Sequence, residues 1–282
     1  MKYTRGTARM RGLAAELKSL RAKAGLNTRE AAARAGLSAS TLNRIELGNR
    51  VIEVEDMASL LVVYGITGVE RERLLSTTRE ACLPGWWQRL DASLPKQQSA
   101  FISFESEAQR ISHLAMLRIP GLMQTAEYIR AIMTAGHITG TELEARVAAR
   151  LGRQALLTRS LPPRYRVVID EAVLRRPVGG PQVMAEQLRH VARLATRTNI
   201  EVRVIPFQHG AHTGLDGTYT VLEFEKARPI VFLEHKASSL FVDEPEDVCP
   251  FQQTVDTLMD VALDSAESVN FLTLVAADYD QG

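Results

Sequence analysis

The chain has 282 residues, 45% hydrophobic and 24% charged, with a net charge of +1; this composition suits about two packed domains and excludes a disordered, collagenous or disulfide-stapled chain. Cys82 and Cys249 are the two cysteines, too few and too distant for a disulfide framework or a zinc site, and no apolar run approaches the roughly 20 residues of a membrane span. The near-neutral total hides an asymmetry, because residues 1–50 hold eleven basic and three acidic residues and the remainder 23 basic and 30 acidic. A basic head on an acidic body points to a polyanion at one end only.

The start, Met1-Lys2-Tyr3-Thr4-Arg5, opens a basic amphipathic stretch and no apolar signal core, which gives an intracellular reading: cytoplasmic and nucleoid-associated, with no membrane partner. Leu13, Leu17 and Leu20 form one stripe of a helix from about Met10 to Ala24, ended by Gly25. Asn27 and Glu30 read as a capping box for a short alanine-rich helix, Thr28 to Ala35. After Gly36, Ser38 caps a third helix, Ala39 to Leu47, whose buried pair is Leu42 and Ile45. A fourth helix, Val54 to Tyr64, buries Met57, Leu60 and Leu61, and Thr67 with Glu70 opens a fifth to about Glu80. Helix, glycine turn, short helix is the helix-turn-helix spacing. The outer face of the third helix carries Ser38, Ala39, Ser40 and Arg44, side chains short enough for the helix to seat in a major groove.

Pro84-Gly85-Trp86-Trp87 and Leu94-Pro95 place a linker at 82–99. Trp86 and Trp87 read either as an interface anchor or as packing of the linker on its own domain. Helices then read at about 100–118, 125–135 and 141–159, the last opened by a Thr141–Glu144 capping box, followed by a strand at 165–170. A helix at 181–198 starts on Pro181, and strands follow at 200–205, 217–225, 230–235 and 239–242. Helices at 245–263 and 266–277 close the chain. The domain expectation is therefore 1–81 as a DNA-binding head, 82–99 as linker and 100–282 as a mixed α/β regulatory and dimerisation domain, an α+β chain overall.

Chemistry is sparse. His209 and His212 have metal-like spacing but no obvious third ligand, and the bland reading is a solvated loop. Gly179-Gly180-Pro181 reads as a turn or an anion site, and Asp170-Glu171 and Glu234-His235 as strand-end charges or acid/base pairs. No G-x-S-x-G, Walker loop, G-x-G-x-x-G or H-E-x-x-H is present. The reading assigns no catalytic residue, no metal and no cofactor, and takes the chain as a non-enzyme. The alternative is a DNA-tethered enzyme acting on a small molecule through the C-terminal domain.

Leu20-Arg21-Ala22-Lys23-Ala24-Gly25-Leu26-Asn27, Ala35-Gly36-Leu37-Ser38 and Leu42-Asn43-Arg44-Ile45-Glu46-Leu47-Gly48-Asn49-Arg50 resemble an Xre-type, lambda-repressor-like DNA-binding domain. The resemblance implies an Arg21–Glu46 ion pair. It departs from the common pattern at Thr28, where many relatives carry Gln, and at Ala39 and Ser40, which replace recognition-helix Gln residues. On this reading Ser38, Ala39, Ser40 and Arg44 face base edges, and Arg21, Thr28, Thr41, Asn49 and Arg50 lie toward phosphates. Ile119-Pro120-Gly121-Leu122-Met123-Gln124-Thr125, Arg153-Gln154-Ala155-Leu156-Leu157 and Asp170-Glu171-Ala172-Val173-Leu174 are similar to the C-terminal domain of actinobacterial antitoxin-like Xre regulators, the WhiJ-like group. That similarity implies a transcriptional regulator; the homodimer is expected on a separate ground, because one short helix with small side chains at Ala39 and Ser40 offers few contacts to double-stranded DNA. Its further partners would be a small protein encoded nearby or a small-molecule effector.

Overall fold

The structure, a computed structural model, describes residues 8–82, 96–225, 227–235 and 238–281. Trp86, Trp87 and most of the 82–99 segment lie outside the described residues. The described residues divide into two compact units, the first made of 8–82, 96–107, 224–225 and 227–228 and the second of 108–223, 229–235 and 238–281.

The first unit is helical, with α1 (Ala8–Lys23), α2 (Thr28–Arg34), α3 (Ala39–Glu46), α4 (Val54–Val63), α5 (Gly68–Cys82) and α6 (Lys96–Glu107). Its core gathers Leu13, Leu17 and Leu20 of α1, Leu42 and Ile45 of α3, Met57, Leu60 and Leu61 of α4, and Leu74 and Leu75 of α5. Each such side chain contributes roughly 1.5–3 kcal/mol on burial. Ala31 and Ala32 are also buried there, and their small size lets α2 lie close to α3. The turn between those helices needs Gly36, whose φ of 75° lies in the left-handed region.

The second unit is built on a six-stranded mixed sheet of order β3-β2-β1-β4-β5-β6, with β1 (Arg110–Ala115), β2 (Arg164–Asp170), β3 (Ile200–Ile205), β4 (Tyr219–Glu223), β5 (Ile230–Glu234) and β6 (Ser239–Val242). β1, β2 and β3 are parallel, while β4 pairs antiparallel with β1 and continues antiparallel through β5 and β6. Parallel neighbours need helical crossovers. These are α7 (Ala126–Ala135) and α8 (Gly140–Gln154) between β1 and β2, then α9 (Glu171–Arg175) and α10 (Pro181–Ala195) between β2 and β3. α11 (Pro245–Val261) covers one sheet face through Val248, Val255 and Leu258 packed on Leu114, Val168, Val221 and Val231. α12 (Ser265–Gln281) runs along α10 and β3. At the outer edge of β3, the N–H of Val204 donates to Ser268 Oγ at 3.0 Å and its carbonyl accepts from Leu263 N at 2.9 Å.

Three expectations are corrected. Residues 100–118 are not one helix: α6 stops at Glu107, and Arg110–Ala115 is the central strand β1. A short apolar run such as Ile111-Ser112-His113-Leu114-Ala115 fits either state by periodicity, and having a partner strand on each side decides it. The Thr141–Glu144 capping box is absent, because α8 opens on Gly140 with Thr139 at the N-cap making no side-chain bond, and Arg130 draws Glu144 away through two contacts of 2.9 Å. The last helix starts at Ser265 with a capping box that was not foreseen, Asp264 and Glu267 exchanging bonds of 2.9 and 2.8 Å.

Candidate nucleic-acid interface

The helix-turn-helix is set by side chains that serve the backbone. Asn27 Oδ1 accepts from Glu30 N at 3.0 Å while Glu30 Oε2 accepts from Asn27 N at 3.1 Å, which fixes where α2 begins. Ser38 Oγ accepts from Thr41 N at 3.0 Å and donates to Thr41 Oγ1, so the entry to α3 is pinned the same way. Arg50 Nη1 reaches Thr41 Oγ1 at 3.3 Å.

On α3, Leu42, Ile45 and Glu46 point inward, and Ser40, Asn43, Arg44 and Leu47 are exposed. Of the residues expected at base edges, Ser40 and Arg44 stand clear, Ser38 is exposed but occupied as the cap, and Ala39 is half-buried against the helical core. Among those expected near phosphates, Thr28, Thr41 and Asn49 are half-buried and Arg50 is exposed. Sequence reasoning passed over Asn43. Its position three residues after Ser40, on the outward side of the Leu42–Ile45 pair, was the signal available.

Arg21 carried two expected roles, and the structure gives it one. Its Nε lies 2.7 Å from Glu46 Oε1, its Nη2 2.9 Å from Glu46 Oε2, and its Nη1 2.8 Å from the Leu26 carbonyl. With three nitrogens used inside the unit and 14% of the side chain exposed, Arg21 is a strut from α1 to α3. The Glu46 hydrogen bonds hold its guanidinium above the ordinary arginine value despite burial. Tyr64 lies close by, and burial together with the Glu46 charge pushes its hydroxyl up to about 12.

Glu46 is paired with Arg21, and Glu30 accepts from the backbone of its own N-cap. Lys18, Lys23, Arg29, Arg34, Arg44 and Arg50 are all exposed. A short helix presenting small polar groups and one arginine, flanked by exposed cations, matches the way a recognition helix seats in the major groove.

Comparison with known families agrees with this geometry. A helix-turn-helix domain model matches residues 13–74, and a model described as a domain of unknown function, DUF5753, matches residues 98–273. The chain belongs to the DUF5753 family. No curated protein and no solved structure matches it. The protein thus joins an N-terminal helix-turn-helix DNA-binding domain to a DUF5753 domain.

Within the DUF5753 domain, most of the residues singled out for chemistry make contacts that hold the backbone or neighbouring side chains. Asp170 Oδ1 accepts from Ala172 N at 2.8 Å as the cap of α9, and its Oδ2 lies 3.1 Å from His212 Nε2. His212 Nδ1 in turn accepts from Gly214 N at 3.2 Å. Both ring nitrogens are used, so the pair locks the loop after β3. His209 has its ring centroid 6.2 Å from that of His212, and among the described residues no group of three or more His, Cys, Asp or Glu is placed to hold a metal ion. Glu171 accepts from Phe207 N at 2.8 Å and from Arg175 at 3.1 Å. Glu234 pairs with Arg118 at 2.6 Å, while His235 N donates to the Ser238 carbonyl. A Cβ at Gly179 would sit 2.9 Å from Val183 and 3.1 Å from Ala131, so this glycine provides close packing of α7 and α10.

Proposed function

We propose that the protein is a sequence-specific transcriptional regulator of double-stranded DNA whose DUF5753 domain dimerises and receives a signal, and that it is not an enzyme. The observation that carries this reading is the exposed row Ser40, Asn43, Arg44 on a helix pinned by the Arg21–Glu46 strut. Arg44 is the base reader, suited to guanine O6 and N7, with Ser38, Ala39 and Ser40 shaping the surface around it. Arg50, Thr28, Thr41 and Asn49 are the phosphate-side contacts, joined by Arg29 and Arg34. One short helix offers few base contacts, each worth about 1–3 kcal/mol, so regulator-like affinity calls for two heads on an inverted repeat with half-sites roughly 34 Å apart. The signal comes from a small protein encoded nearby, as in the antitoxin-like WhiJ group, or from a small molecule.

Genome-wide binding-site mapping followed by quantitative binding to the recovered duplex tests this. The expected result is an inverted repeat bound by two protomers, with single half-sites bound far more weakly. A monomer that binds one half-site as tightly as the whole repeat sinks the dimer model, and absence of any preferred sequence sinks specific regulation. The enzyme alternative would need convergent acid, base or nucleophilic groups, and the Asp170–His212 pair has no free ring nitrogen to offer.

A further inference from the structure

The second unit holds a group of arginines that DNA binding leaves unused. Arg146, Arg150 and Arg153 recur at i, i+4 and i+7 and so share one face of α8. Arg118, in the segment after β1, approaches the same place and meets Glu234 at 2.6 Å. Arg150 is half-buried at the centre of the group. Its Nη1 donates to Gln124 Oε1 at 2.9 Å, a neutral acceptor, while its Nε and Nη2 make no hydrogen bond and no carboxylate pairs with it among the described residues. Arg146 meets Glu142 through Nη2 at 2.7 Å, but its Nε is buried without an acceptor among the described residues.

Buried guanidiniums are ordinarily matched by carboxylates, because desolvating a cation without a counter-charge is costly. Here the local field is positive enough to act on its neighbours. Burial, then Arg153 and Arg118, push Arg150 down to about 10 against the opposing pull of the Glu234 carboxylate, and burial with Arg118 and Arg153 pushes His113 of β1 down to about 3. The fork is also held in place. Gln124, from the Gly121-Leu122-Met123-Gln124-Thr125 motif, donates to the Ile119 carbonyl at 2.6 Å, and Gln154 Nε2 donates to the Gln124 carbonyl at 2.6 Å. In the charged groove beside α11, Arg166 meets Asp256 and Arg110 meets Glu223, as Arg118 meets Glu234 and Arg146 meets Glu142 here; Arg150 differs in having no carboxylate within ion-pair distance among the described residues.

We propose that Arg150, with Arg146 and Arg118, binds a phosphate group, free or carried on a small organic ester, and that this is where the DUF5753 domain receives its signal. A dianion with several oxygens suits the Nε and Nη2 of Arg150, with the charges of Arg118 and Arg146 beside them, better than a single carboxylate does. The signalling clause rests on the regulator reading above; the binding clause does not.

Titration calorimetry on the full-length protein at constant ionic strength decides it, with orthophosphate and ribose 5-phosphate as probes. Wild type, Arg150→Gln, Arg146→Gln and the head variant Arg44→Ala/Arg50→Ala are compared. The expected result is saturable binding that the head variant retains within twofold, Arg150→Gln weakens at least tenfold and Arg146→Gln weakens severalfold. The tighter of the two probes assigns free phosphate or phosphoester. No saturable binding by wild type at millimolar probe overturns the site, and so does binding lost in the head variant and kept in Arg150→Gln. If Arg150→Gln fails to fold, Arg146→Gln decides, because it leaves the Arg150–Gln124 bond intact. A parallel duplex-DNA titration with and without the probe separates the two readings. Phosphate binding with unchanged DNA affinity keeps the site and overturns its signalling role, whereas no DNA binding under either condition sinks the regulator reading alone.

Discussion

Arg21 and Arg150 both sit inside their units, yet they are treated in opposite ways. Arg21 meets a nearly buried carboxylate in a two-pronged contact and spends its third nitrogen on a backbone carbonyl. Arg150 has an amide for its one hydrogen-bond partner, and the charges around it are those of Arg153, Arg118 and Arg146 with Glu234 opposing them. A guanidinium whose charge is answered within the chain is a brace. One whose charge is left open is costly to fold around and is kept where something outside the chain completes it.

The largest effect that tests this contrast is at Glu46. Glu46→Leu strands Arg21 in the core and is expected to cost about 3–5 kcal/mol of the first unit's stability, whereas Arg21→Met/Glu46→Leu costs clearly less. Urea melts followed by circular dichroism measure both, and equal losses would mean that the pair contributes as packing alone. Next comes acid. The unfolded chain protonates His113 near pH 6.5, while the folded chain resists protonation until about pH 3. Between those values the unfolded state binds one more proton, so this group's contribution is whole above pH 6.5. It is lost as pH falls, by up to about 1.4 kcal/mol per pH unit. His113→Gln should flatten that limb of the stability–pH curve, and an unchanged limb would mean that burial and the nearby arginines do not hold His113 neutral.

Arg44→Ala is expected to cost about 1–3 kcal/mol on the preferred sequence and to relax one base position. Arg50→Ala should weaken all sequences alike and reduce the salt slope by about one. Equal losses on specific and random duplexes for Arg44→Ala would remove its base-reading role. The smallest effect is expected where intuition expects a large one. Arg150→Met should change stability by no more than about 1 kcal/mol, because an unanswered cation leaves with the lost hydrogen bond. A loss like that of Glu46→Leu would make Arg150 a brace after all.

What the sequence made legible follows from how local each cause is. α2 and α3 are written in residues within four positions of one another, Asn27 with Glu30 and Ser38 with Thr41, and their limits were readable to a residue or so. The Arg21–Glu46 strut spans 25 positions and was reachable through the family resemblance alone. β1 was misread because its identity depends on β2 and β4, which lie 54 and more than 100 residues onward. The same distance hid the arginine cluster. The spacing of Arg146, Arg150 and Arg153 was visible, but charged residues four apart usually mark a solvated face. It takes the turn carrying Gln124, folded over α8, to turn that face inward.

Sheets invite company, since an outermost strand offers a row of backbone groups to any extended chain that drifts by. At Val204 that offer is withdrawn from within: the serine hydroxyl of α12 and the amide of Leu263 take both outward-facing groups of the residue. A stray strand arriving at β3 finds its hydrogen-bond partners already spoken for near the C-terminal end of the strand. Growth of the sheet by addition of another molecule is therefore opposed at that end of the flank by two ordinary hydrogen bonds.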